Sequence, residues 1–63
     1  MFEVGNIVRF NSTVPNDILV GRFAVIVKIE LSSRHPYKLR YLSTIWNNVH
    51  VEDFSKSDWI DKI

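Results

Sequence analysis

The sequence predicts an all-β fold: a small barrel of about five strands closed by a short C-terminal helical turn. Three observations point there. Residues 23–30 alternate with period two and are rich in β-branched side chains, the mark of a strand with one buried face. Tyr37-Lys38-Leu39-Arg40-Tyr41 alternates again, with Tyr37, Leu39 and Tyr41 on one face and Lys38 and Arg40 on the other. Turn-forming residues punctuate the chain at Gly5-Asn6, at residues 11–16 with Pro15, and at Ser32-Ser33-Arg34-His35-Pro36.

Each element follows in chain order. Ile7-Val8-Arg9-Phe10 is strand-like, with Val8 and Phe10 expected inward and Arg9 outward. Residues 11–16 have loop chemistry, and the apolar run Ile18-Leu19-Val20 inside that connection is expected to pack across one end of the barrel. In the next strand, Phe23, Val25, Val27 and Ile29 are expected in the core. Ala24, Ile26, Lys28 and Glu30 are expected on the outer face, where Ile26 asks for cover by another strand or by a partner. Pro36 biases His35 away from helix. Asn47-Asn48 suits a turn, because Asn tolerates positive φ. A tight two-residue turn there would set Trp46, Val49 and Val51 on the face of Lys38 and Arg40. A longer loop over residues 43–48, or a bulge near Ser43, returns Val49 and Val51 to the core and leaves Trp46 near a loop tip. Ser57 before Asp58-Trp59-Ile60-Asp61 resembles a helix N-cap followed by acidic residues. Phe54, Trp59, Ile60 and Ile63 could then seal the open end, with Trp59 a core or capping residue rather than a binding one.

Size and composition bound the rest. A chain of 63 residues makes one domain, spanning 1–63. Such a domain buries only about 60% of the surface its unfolded form exposes. There is no cysteine, so no disulfide adds stability, and two histidines without a thiol leave a structural zinc site short of ligands. Apolar residues are 46% of the chain and aromatics 13%, outside the disordered range, so ordinary apolar packing must hold it, helped by a partner or by self-association. No apolar run approaches the ~20 residues of a membrane span, and the opening Met1-Phe2-Glu3-Val4-Gly5 lacks the features of a signal peptide. A soluble cytoplasmic protein is the expectation, with no membrane partner. Without a secretory leader, the sequon Asn11-Ser12-Thr13 reads as chance.

The net charge is +1, which gives no steering toward nucleic acid as a whole. The charge is unevenly spread. Residues 1–42 hold Arg9, Arg22, Lys28, Arg34, Lys38 and Arg40 against Glu3, Asp17 and Glu30. Residues 43–63 hold Lys56 and Lys62 against Glu52, Asp53, Asp58 and Asp61. If the strands are as expected, Arg9, Lys28, Lys38 and Arg40 all point outward on neighbouring strands. Together with Trp46 at its loop tip they form the candidate binding set, suited to phosphates or to an acidic protein surface. The competing reading is that long cations decorate the solvent face of any amphipathic strand.

Catalysis finds little support. No nucleophile elbow or similar local signature is present, and His50 beside Glu52 reads as a surface residue, as does His35 in its loop. With only Gly5 and Gly21 there is no phosphate-cradling loop. No catalytic residue, metal or cofactor is expected.

The order of these signals resembles a known pattern. It comprises Gly5-Asn6-Ile7-Val8-Arg9-Phe10, a variable loop, Gly21-Arg22-Phe23-Ala24-Val25-Ile26-Val27, then Tyr37-Lys38-Leu39-Arg40-Tyr41. Val49-His50-Val51-Glu52-Asp53-Phe54 and a short turn complete it. This is similar to SH3-like small barrels of the KOW and nitrile-hydratase-β types, whose openings often read Gly-Asp-x-Val and whose second strands carry Gly-x-x-Val-Val-x-Ile. The chain has Asn at position 6 where Asp is common. It also lacks the second glycine of a KOW motif, which argues against the nucleic-acid role of that type. In size it also resembles the small proteins that bacteriophages encode to modify host machinery. With no catalytic constellation and a near-neutral charge, but with large aromatics and the outward Ile26 on a fold that binds through its loops and edges, the expectation is a non-enzymatic protein-binding module, a small phage or bacterial regulator docking on a larger protein. The alternatives are a KOW-like nucleic-acid-binding module using the basic patch with Lys38 and Arg40, and an accessory subunit of a larger enzyme, as some SH3-like chains are.

Overall fold

The computed structural model describes residues 1–42 and 49–63. Five antiparallel strands form one sheet: β1 (Ile7–Phe10), β2 (Phe23–Ile29), β3 (Tyr37–Leu42), β4 (His50–Ser55) and β5 (Ile60–Lys62). Two 3-10 turns interrupt the connections, at Asp17–Leu19 and Ser57–Trp59. The order across the sheet is β4-β3-β2-β1-β5. Four strands therefore lie in chain order and the last returns beside the first. The sheet is open: β4 and β5 are its two edges and do not pair with each other, so the expected closed barrel is not formed.

Local chemistry explains the turns. Gly5 adopts φ +93°, and the turn around it is held by the Asn6 side chain, whose Oδ1 accepts from the Glu3 amide at 2.8 Å. The Asn6 carbonyl then accepts from Ile26 at 3.0 Å, which carries the β1–β2 pairing past the strand's start. Asn16 caps the first 3-10 turn by accepting from the Ile18 amide. The second turn begins after Lys56 and has no side-chain cap, so Ser57 does not act as the expected N-cap. The chain then turns into β5 rather than extending a helix, because Ile60 is drawn under the sheet against Phe10.

The core comprises Val8, Phe10, Val14, Leu19, Ala24, Ile26, Tyr37, Leu39 and Ile60. Phe2 packs edge-on against Tyr37 with ring centroids 5.1 Å apart, and Tyr41 packs likewise on Phe10 at 5.5 Å. Tyr37, Leu39 and Tyr41 face inward as expected. The face of β2 is the main correction. Ala24 and Ile26 are inside, Ile26 with 0% of its surface exposed, while Phe23 is 58% exposed on the outer face with Val25. The cause lies in the pairing. Ala24 sits opposite Val8 and Ile26 opposite Leu39, and the register then shifts between Ile26 and Lys28. Val27 is the extra residue of that bulge, and beyond it the phase flips, so Ile29 packs on the core and Lys28 stays outside.

Other expectations change at the chain's end. Ile60 is buried and Trp59 half-buried, but Phe54 and Ile63 are exposed and seal nothing. In the Ile18-Leu19-Val20 run only Leu19 is buried. Val51 is half-buried opposite Tyr41, whereas Val49 is exposed ahead of β4. Trp46 and the Asn47-Asn48 turn lie outside the described residues. Among the described residues no helix is long and apolar enough to cross a membrane.

Candidate functional site: a groove at the open seam and a charged outer face

The inner side of the sheet does not fill completely. A groove of about 350 Å³ opens there. Its floor is apolar, made by Phe10, Leu39, Val14 and Leu19. Its walls come from Pro15 and Asn16 in the β1–β2 connection, His35 ahead of β3, Asp53 and Phe54 on β4, and Trp59 in the second 3-10 turn. These residues come from separate segments, and one residue ties two of the segments together. The Asn11 amide donates to the Trp59 carbonyl at 2.9 Å, its Nδ2 donates to the Asp58 carbonyl at 2.8 Å, and its Oδ1 accepts from Thr13 at 2.9 Å. The β1–β2 connection and the second turn are thereby stapled side by side.

The aromatic wall is held from both sides. The His35 ring lies 5.3 Å from the Trp59 ring, and Lys56 Nζ lies 5.8 Å from the same indole. The groove's carboxylate, Asp53, accepts from the Phe54 amide at 2.8 Å. It also acts on Tyr41. Burial first, then the charge of Asp53 and a hydrogen bond to it, push the Tyr41 phenol above its ordinary value of 10.0.

The outer face holds the basic residues singled out from the sequence. Lys28 sits opposite Lys38 in the β2–β3 register, as the strand assignments predicted. Lys38 and Arg40 are both engaged by Glu52 on β4: Lys38 Nζ lies 3.2 Å from Oε1, and Arg40 reaches Oε2 through Nη2 at 2.6 Å and Nε at 3.1 Å. Hydrogen bonds from Arg40 and then Lys38 hold the Glu52 carboxyl below its ordinary value of 4.5. Arg9 lies opposite Phe23 rather than Lys28. It donates from Nε to the Gly21 carbonyl and covers the Phe23 ring at 5.6 Å. Gly21 sits there at φ +83°, a left-handed backbone conformation that favours glycine, and a Cβ would make only ordinary contact with the Arg9 guanidinium. Trp46 cannot be placed with this set, being outside the described residues.

The outer face also carries Ile7, Phe23 and Leu42, all exposed, and at the β4 edge Phe54, which borders both the groove and this face, with Lys38 Nζ 5.9 Å from its ring. His50 is exposed at the start of β4, opposite Leu42. Among the described residues no group of three or more His, Cys, Asp or Glu side chains could hold a metal ion. Sequence reasoning missed the groove as a unit. The available signals were Pro15-Asn16 and Trp59, which it assigned separately to a loop and to a cap. No protein family, no curated protein and no solved structure matches the chain.

Proposed function

We propose that the chain is a non-enzymatic protein-binding module, a small regulator that docks on a larger protein through the groove at the open seam of its sheet. The observation that carries this reading is the groove itself. It is an apolar floor of aromatic and aliphatic side chains, about 350 Å³ in volume, rimmed by only a few polar groups. That combination suits the apolar side chains of a protein segment, with Asp53, Asn16 and His35 orienting them. The SH3-like reading of the framework is supported by the strand order, with β5 returned beside β1, and by the 3-10 turn that precedes β5. Affinity capture from a bacterial lysate with the immobilised chain tests the function. Retention of a protein that a Pro15→Arg groove variant fails to retain is expected. Equal retention by both, or none above empty resin, contradicts it. If the retained protein is an enzyme, the chain is its accessory subunit.

A second reading, a KOW-like nucleic-acid-binding module, has one observation in its favour. Two exposed phenylalanines on the outer face each carry a cation over the ring, close to Lys28 and Arg40. Glu52 offsets part of that charge. This reading predicts binding to single-stranded RNA or DNA that weakens with salt and falls on Lys28→Glu. Absence of such binding at low salt removes it.

A further inference from the structure

We propose that β4 is an acceptor edge, which takes an extended, cation-bearing segment of a partner protein as a sixth hydrogen-bonded strand along the mouth of the groove. The proposal rests on the protein-binding reading above and adds the mode of binding and the chemistry of the partner. The two edges of the sheet are unequal. β5 has three residues, two of them charged. β4 has six, and its pairing with β3 runs unbroken from Tyr37↔Ser55 to Leu42↔His50, with no bulge and no proline. A regular antiparallel strand turns the N–H and C=O of alternate residues away from its neighbour.

The Phe54 amide identifies which residues those are. Its N–H donates to Asp53 Oδ1. The bond from the Glu30 amide to the Pro36 carbonyl sets the phase of β3, turning the backbone groups of Lys38 and Arg40, which lie opposite Phe54 and Glu52, toward β2. Phe54, Glu52 and His50 therefore present their backbone groups to the open side. Among the described residues, no backbone partner meets them. Asp53 and Phe54 also line the groove. A strand laid against β4 thus runs beside the groove and aims alternate side chains at its floor.

Charge selects the occupant. Glu52 and Asp53 stand together in the middle of β4. Antiparallel pairing of two copies about this point sets Glu52 against Asp53, or each acid against itself, and like charges directly opposite are unfavourable. A second copy is thereby disfavoured and a cationic strand favoured. Glu52 is already paired with Lys38 and Arg40, whereas among the described residues no cation pairs with Asp53, whose carboxylate accepts from the Phe54 amide, so Asp53 is the acid that meets an incoming cation. Meeting it draws the carboxylate off the Phe54 amide and releases that N–H for the ladder. Asp53 therefore guards the edge against neutral strands and opens it to cationic ones.

Three capped heptapeptides test this on the full chain by amide hydrogen exchange: one alternating lysine and valine, one alternating glutamine and valine, and the lysine–valine peptide N-methylated at alternate amides on its pairing edge. The lysine–valine peptide is expected to slow exchange at Glu52 and Phe54 at least tenfold. The N-methylated peptide is expected to lose that protection, and the glutamine–valine peptide to gain it only in an Asp53→Ala variant. Binding without protection at Glu52 and Phe54, or binding indifferent to N-methylation, overturns strand addition and leaves the groove reading standing. Failure of the lysine–valine peptide to bind at millimolar concentration also overturns it, while lysate capture judges the protein-binding function separately.

Discussion

The two faces of the sheet come from the same alternating strands, yet their polar groups serve different ends: side chains pair with one another on the outer face, while on the inner side Asp53 and Asn16 accept from backbone amides. On the outer face, Lys38, Arg40 and Glu52 satisfy one another, and Arg9 is bonded to the Gly21 carbonyl. On the inner side, Asp53, Asn16 and His35 border an open apolar volume. Surface ion pairs contribute little to stability and lower the field a charged partner would meet. A basic stripe read from sequence is therefore a weaker binding surface than its charge count suggests. The groove carries less charge but has unfilled volume, which is what a ligand can use.

Five substitutions sharpen this contrast, from the largest effect to the smallest. Ile26→Ala, inside the sheet, should cost about 2–5 kcal/mol in urea denaturation, the range for truncating a fully buried aliphatic chain. A cost below that of an outer-face truncation would show that the inside and outside of β2 have been assigned the wrong way round. Asn11→Ala should cost about 1–2 kcal/mol, because it removes the side-chain bonds of the staple between the β1–β2 connection and the second 3-10 turn while leaving the Asn11 amide on the Trp59 carbonyl. It should also change Trp59 fluorescence, since the turn that carries the groove wall loses its bond at the Asp58 carbonyl. Phe23→Ala, on the outer face, should cost only about 0.5–1 kcal/mol, the worth of an exposed cation–π pair.

The smallest effects are pH-dependent and differ in sign between the faces. The Tyr41 phenol is raised above 10.0 in the folded chain, so its contribution is complete below pH 10 and is lost as pH rises through the folded value. Tyr41→Phe should flatten the alkaline limb of a stability profile. The Glu52 carboxyl is lowered below 4.5, so its contribution is present above that pH and is lost as pH falls through the folded value. Glu52→Gln should flatten the acid limb slightly. Its effect should shrink in high salt, because the pair is exposed.

Much of this architecture is legible in the sequence, and the exceptions have physical causes. The first four strands stand out because alternation and turn residues are local signals. β5 does not, since Ile60-Asp61-Lys62 is only three residues long and becomes a strand through pairing with β1, far away in the chain. The face of β2 is misread because every residue from Phe23 to Val27 is apolar and nothing local marks Val27 as a bulge. The adjacency of Lys28 and Lys38 is legible, but their partner Glu52 depends on the β3–β4 register. The groove is the least legible part. Its residues share no spacing, and only the folded connections bring Pro15, His35, Asp53 and Trp59 together.

The comparison between the faces is tested most directly by measuring the affinity of one captured partner for two exposed-site variants in parallel. Asn16→Arg fills the groove and Phe23→Asp disrupts the outer face, and both positions are exposed. A loss of at least tenfold for Asn16→Arg with less than threefold for Phe23→Asp is the predicted result. The reverse order would place the binding surface on the basic outer face and contradict the assignment of function to the groove.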